Sequence, residues 1–456
     1  MSKDLANAEK ENTNPITKRI AVLCKMRLLS PALIGSGEEE NTKRDVYLDA
    51  NNNPLIPGTS LAGVLRNVLN DDFAAKLFGP LINSPKDDSE TSPLWVLDSE
   101  ALIEDDGKEA PGKIIIIDNV ALSEDKIAKT GAKFDFEAID RGAYFYLRLQ
   151  LIVRKHSSPC LEQLLDSVLG KLNTLYIGGK TSRGFGKLQC ESIKKAIFNT
   201  DAEGLKQWMN FNWDKWIKGY DYDNAKAYIV DDFQCDKPDI YPPQPSVICA
   251  VLNLKGTLLI RDDYSTIGDE NAAQITSNNL PVIYGTSLVG AIKSGVAKLL
   301  KLKHPNCKNY LNDIFGCLDD SVKPPQHHPS KVRVDASYFA KDKRHSVTRV
   351  KIDRWTGGAV DRALFTTCPQ FKGGVTFTAH YPNGRDDIKQ LLLLALQAID
   401  LGIITIGGET AIGRGVFSVK KVCIDGAAQN MAEVFNHPKD ELVKKLEKMS
   451  GGVANG

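Results

Sequence analysis

Ile177-Gly178-Gly179-Lys180-Thr181-Ser182-Arg183-Gly184-Phe185-Gly186 returns in altered form as Ile406-Gly407-Gly408-Glu409-Thr410-Ala411-Ile412-Gly413-Arg414-Gly415. A second block behaves the same way, Pro54-Leu55-Ile56-Pro57-Gly58-Thr59-Ser60-Leu61-Ala62-Gly63 against Pro281-Val282-Ile283-Tyr284-Gly285-Thr286-Ser287-Leu288-Val289-Gly290. The spacing is 229 residues from Gly178 to Gly407 and 227 from Gly58 to Gly285. Two blocks that keep both order and interval mean a duplicated domain, since a solenoid would repeat at a far shorter period. The chain therefore reads as two copies of one fold, residues 1–219 and 247–456. Residues 220–246, with Pro238, Pro242, Pro243 and Pro245, form the linker.

Composition bounds the answer. The 456 residues are 42% hydrophobic and 25% charged, ordinary for a soluble globular chain of two or three domains. No stretch is apolar for about 18 residues and the opening is polar, so no membrane partner is expected and the cytoplasm is the default location. Nine cysteines without a C-x-x-C pair fit reduced thiols. A net charge of +1 argues against a generic polyanion binder, so any nucleic-acid site must be built locally from loops.

Within each copy the elements follow in one order. Lys18 to Leu29 suits a first strand, and Ser30 to Asn53 a polar loop with the acidic run Glu38-Glu39-Glu40. Ser60 is a good N-cap for a helix whose Leu61, Val64, Leu65, Val68 and Leu69 share one face. Leu288, Ala291, Ile292, Val296 and Leu299 do the same in copy two. Pro80 to Gly112 reads as an exposed acidic insertion. Lys113 to Asp118 reads as a buried strand with Lys331 to Asp335 as its counterpart. Segments 123–142 and 346–374 look like protruding hairpins, each leading into a strand, a helix (161–175 and 386–401), the glycine-rich turn and a last strand. The order fits an α+β class, two tandem ferredoxin-like domains with long insertions. Trp208, Trp213 and Trp216 lie on an amphipathic helix and read as packing.

Both repeated blocks suit phosphate. Glycines at 178, 179, 407 and 408 allow positive φ and close approach of backbone N–H groups to an anion, with Lys180, Thr181, Arg183, Lys187, Thr410 and Arg414 adding donors. Gly58, Thr59, Ser60, Gly285, Thr286 and Ser287 stand at helix starts, where orphan N–H groups favour phosphate. Two such loops per copy suggest a groove that tracks a nucleic-acid backbone. Neither a P-loop nor a Rossmann turn is present. Acidic residues in the loops ahead of the Gly-Thr-Ser blocks, Asp45 and Asp49, then Asp262, Asp263 and Asp269, are candidates to hold a divalent ion beside a phosphodiester.

Taken together, the Gly-Thr-Ser-Leu helix start, the Phe-Gly after it, the hairpin Val350 to Ala359 and the terminal Gly-Gly-x-Thr-x-x-Gly-x-Gly resemble the RAMP superfamily of CRISPR systems, most of all the backbone subunits of type III effector complexes. The resemblance implies RRM-like cores lined along a guide RNA, with each hairpin a thumb inserted between guide and target RNA. It implies other effector subunits as partners, related backbone subunits and a large subunit among them. It also implies Mg2+-dependent target cleavage at a loop aspartate. Asp269 falls at that position. In copy one the position is Thr42, and Asp45 is the nearest carboxylate. The thumbs carry over as Thr130 to Phe136 and Ile352 to Phe365, where Trp355 either stacks on a base or fills the hairpin's own base.

Copy two alone carries His304, Cys307, Cys317 and His328, types that suit a structural zinc. A metal-free guide-processing ribonuclease would need a histidine with a partner, and neither His156 nor His380 has an obvious one.

Overall fold

The computed structural model describes residues 14–37, 45–80, 91–122, 128–233, 238–262, 271–319, 326–436 and 439–451. In copy one, β1 (Ile16–Leu28) is the central strand. Around it the chain supplies α1 (Gly58–Arg66), α2 (Asp71–Phe78), β2 (Leu94–Val96), the hairpin β3 (Ile114–Leu122) and β4 (Ala128–Ile139), then β5 (Tyr144–Arg154), α3 (Leu161–Leu169) and β6 (Leu188–Asn199). The strands lie side by side as β6-β1-β5-β2, antiparallel throughout. Copy two repeats this with β7 (Ser246–Leu254), α4 (Gly285–Lys301), α5 (Cys307–Phe315), β8 (Arg333–Val334), the hairpin β9 (Val347–Ile352) and β10 (Ala359–Cys368), β11 (Gly374–Tyr381), α6 (Asp386–Asp400) and β12 (Phe417–Ile424). Its order is β12-β7-β11-β8, again antiparallel.

The duplication extends to a defect. The β1–β6 register shifts between Lys25 and Met26, and the β7–β12 register shifts between Val251 and Leu252. Such bulges bend a strand and re-aim the chain beyond it. Both lie just ahead of the loops that lead to the Gly-Thr-Ser helices.

Alternation sets the cores. Ile20, Val22, Cys24, Met26 and Leu28 face the copy-one helices, and Ile248, Ala250, Leu252 and Leu254 face those of copy two. On the other face of β1, Ala21 and Leu23 are buried under an aromatic cluster from residues 202–217, in which Phe211 packs against Trp208, Trp213 and Trp216. Copy two has no such cover on its sheet among the described residues, and Val251 is exposed.

Three readings need correction. The copy-one counterpart of β8 is β2, because Leu94 pairs with Leu151 on β5, whereas the four isoleucines of 114–117 belong to the thumb hairpin. Segment 80–112 is thus partly built into the fold, with Ala101 fully buried. The linker is not a free tether either: Ala225–Tyr228 adds a strand beside β6, and Phe233 and Ile240 enter the copy-one core. Finally, Ser60 is not the N-cap. Pro57 occupies that place and Thr59 and Ser60 lie within the first turn.

Candidate nucleic-acid interface

In each copy the loop ahead of the Gly-Thr-Ser helix and the thumb rise from one base. Bridges Ala32 to Ile139 and Gly35 to Val46, with Val46 N–H donating to Glu137 at 3.0 Å, tie the copy-one loop to β4. Arg261–Asp262 and Ala272–Gln274 pair with each other, and the latter runs parallel to β10 in the copy-two thumb. Asp262 flanks that loop. Asp263 and Asp269 lie outside the described residues.

Trp355 stands at the tip of the copy-two thumb, 87% exposed, so it does not fill the hairpin's base. Arg354 lies 5.6 Å from its ring centre, and Lys351 and Arg362 are exposed on the same hairpin. Asp353 closes the turn by accepting from Trp355 N–H and Thr356 N–H at 3.0 and 2.8 Å.

At the base of that thumb three guanidinium groups converge on one carboxylate. Glu409 binds Arg349 at 2.8 Å, Arg261 at 3.1 Å and Arg414 at 3.5 Å. Burial raises the Glu409 carboxyl, but the Arg349 hydrogen bond and the Arg414 charge outweigh it and hold it below the usual range. Arg349 Nε and Arg414 Nη1 are buried without a hydrogen-bond partner among the described residues. The knot therefore carries excess positive charge, which Arg261 and Arg349 present to solvent and which suits a phosphate. Copy one builds the same place differently. Lys180 sits 4.5 and 4.2 Å over the rings of Phe134 and Phe136, and Phe185, in the position of Arg414, stacks on Tyr284.

The glycine-rich turns do not form open anion cradles. Gly179 N–H donates to Leu33 O and Gly186 N–H to Pro31 O, while Gly408 and Gly415 donate to Leu259 O and Thr257 O. Gly178 and Gly407 are needed for their positive φ and for close approach to Leu33 O and Leu259 O. Thr181 and Thr410 begin short 3-10 turns. Arg183 is committed to copy two, donating to Phe315 O at 2.6 Å with Ser330 Oγ at 3.4 Å, and Arg414 is buried. The helix starts are engaged too. Gly58 N–H donates to Asp98 at 2.6 Å, which puts a carboxylate where a phosphate was expected, and Gly285 is pressed between Val334 and Arg183. Of the donors there, Thr59 is exposed and Thr286 and Ser287 partly so.

Asp45 is buried, and Asp49 holds a turn by accepting from Asn51 and Asn53 N–H at 2.8 Å each. Among the described residues no three His, Cys, Asp or Glu side chains are placed to hold a metal. The four residues of the expected zinc set, His304, Cys307, Cys317 and His328, are not brought together as one group. Cys307 faces the copy-two core, while Cys317 and His328 face each other across a two-stranded pair and His304 stands at the end of α4.

Sequence reasoning missed a cluster that joins the copies. Lys187 Nζ and Tyr176 OH of copy one reach Asp335 of copy two at 2.7 and 2.8 Å, and His380 stands 3.4 Å from both Asp335 and Tyr176. Burial pushes the Asp335 carboxyl up, but His380 and Lys187 outweigh it and hold it at about 2. His380 thus has partners, in a cluster that is largely buried between the copies.

A profile of the RAMP superfamily matches residues 25–189 and 252–418, which together span well over half the chain and coincide with the two structural copies. The chain belongs to the RAMP superfamily. No curated protein sequence matches it. As a RAMP protein in two tandem copies it is of mixed α/β build, and its family points to a CRISPR-associated RNA-binding subunit. No helix among the described residues is long and apolar enough to cross a membrane.

Proposed function

We propose that this RAMP protein is a guide-RNA-binding backbone subunit of a type III CRISPR ribonucleoprotein. Each copy acts as a ferredoxin-like unit along the RNA, with residues 1–219 and 247–456 as the two domains. The strand order 4-1-3-2 with two crossover helices supports that description. Its partners are guide RNA, target RNA, related backbone subunits and a large subunit. The observation that carries the reading is the copy-two thumb, an exposed Trp355 flanked by cations above a base of three arginines. An exposed ring offers a base a stacking platform, and the guanidinium groups offer its phosphates charge-assisted hydrogen bonds. Because the copy-one sheet face is covered by its tryptophan cluster, RNA contact falls to thumbs and loops there.

Cleavage of the target is assigned to Asp269, whose loop is anchored on both sides at the thumb base. The described residues do not by themselves fit a metal, so no reaction step is derived through one. The test is product mapping of a guide-complementary RNA with Mg2+ and with EDTA, for the native complex and Asp269→Ala. Loss of one cut with assembly intact supports the assignment, and an unchanged ladder makes the chain a silent scaffold. Absence of co-purifying RNA would sink the proposal itself.

A further inference from the structure

The interface between the two copies is a plug in a socket, and the molecule carries a second socket. In copy two the socket is made by the start of α4, the end of α5 and the segment after Ser330. Arg183 plugs it, donating to Phe315 O, while Ser330 Oγ donates to Val332 O at 2.7 Å and Lys293 Nζ to Gly316 O at 2.9 Å. Copy one has the same parts in the same relation. Ser92 Oγ donates to Leu94 O at 2.7 Å and Arg66 to Gly79 O at 2.7 Å. Gly79 and Gly316 share a backbone conformation, φ 82° and ψ 166° against φ 76° and ψ 159°. Arg66, Ser92 and Leu94 line a cavity of about 270 Å³, open among the described residues, with Gly58, Thr59 and Phe78 in its wall.

The plug is also duplicated, with one change. Lys180 and Gly184 bracket the copy-one turn at φ 56° and 79°, and Glu409 and Gly413 bracket the copy-two turn at φ 52° and 85°. A Cβ on Gly184 would stand 2.5 Å from Ala336 N, because that turn is docked, whereas one on Gly413 would meet nothing within 4 Å among the described residues. At the tip, where copy one has Arg183, copy two has Ile412, which is 57% exposed.

We infer that the copy-one socket receives the glycine-rich turn of a different protein subunit, one with arginine at its tip, and that Ile412 keeps this chain from docking onto itself. A head-to-tail contact that does not close on itself extends indefinitely when plug and socket match. An isoleucine entering the socket would bury a carbonyl and a hydroxyl without the donor that Arg183 supplies to their copy-two equivalents, and that loss discriminates against self-docking. The inference rests on the geometry of the two copies and holds whether or not the chain cuts RNA.

Sedimentation of the full chain over a wide concentration range tests it. Wild type stays a single species. Ile412→Arg associates at least tenfold more tightly, in a chain of increasing length, and adding Gly63→Trp, which fills the socket from an open position on α1, reverses this. Equal self-association of wild type and Ile412→Arg would overturn the inference by making a second copy the occupant. So would an Ile412→Arg protein that melts like wild type and never associates.

Discussion

A Cβ placed on Gly285 would stand 2.3 Å from the carbonyl oxygen of Arg183. The first residue of a copy-two helix thus touches the main chain of the copy-one turn with no room for a methyl group. Gly285→Ala must push the copies apart or distort α4, at a cost of roughly 1–3 kcal/mol. Gly290 lies five residues on in the same helix, where a Cβ meets nothing within 4 Å among the described residues. There the same change removes glycine's helix penalty and stabilises by about 1 kcal/mol. Thermal melting of the two variants should therefore shift in opposite directions.

The Asp335 cluster makes the junction acid-sensitive. Its carboxyl is held at about 2 in the folded chain, below the ordinary value of 3.8, so its contribution is complete above pH 4 and disappears as pH falls toward 2. A shift of that size corresponds to about 2 kcal/mol. Asp335→Asn should lower the melting temperature at neutral pH and flatten its dependence between pH 4 and 2. A variant whose acid profile stays parallel to wild type would show that the carboxylate does not hold the junction.

Much of this arrangement was legible in the sequence, because duplication exposes itself whenever two blocks keep their interval, and because β1 and β7 alternate as half-buried strands do. What failed has a common cause. Ile114 to Ile117 reads as a buried strand since it is continuously apolar, but part of that greasiness serves contact with the other copy: Ile117 packs with Phe136, Phe185 and Tyr284. Arg183 and Lys187 read as phosphate ligands since they are cations among glycines, yet their partners, Phe315 O and Asp335, are more than 100 residues away. Asp98 and His380 belong to no repeated block, so periodicity gave no reason to single them out. Sequence patterns identify where each copy folds; the junction between copies depends on pairs that only the assembled chain brings together.

Arg261 is the outermost of the three arginines on Glu409, with nearly two-thirds of its side chain exposed. If the knot meets phosphate, Arg261→Ala should weaken RNA binding to a similar degree for unrelated sequences and reduce the salt dependence by about one counterion. Filter binding of wild type and variant across a salt series checks both features. A loss confined to one sequence would mean base reading instead.

Trp355 offers the cleanest separation of binding from folding. Its ring is almost wholly in solvent, held out by the Asp353 turn rather than by packing, so Trp355→Ala removes no core contact. The melting temperature should stay within measurement error. A ring that stacks on a base contributes about 1–3 kcal/mol, so affinity for guide-length RNA should fall by roughly fivefold to a hundredfold, and Trp355→Phe should recover most of it. Asp353→Ala is the complementary change, since it leaves the ring but frees the turn that aims it, and it should lower affinity less than Trp355→Ala. Equal affinity of wild type and Trp355→Ala, with identical melting, would remove the tip of this thumb from the RNA path.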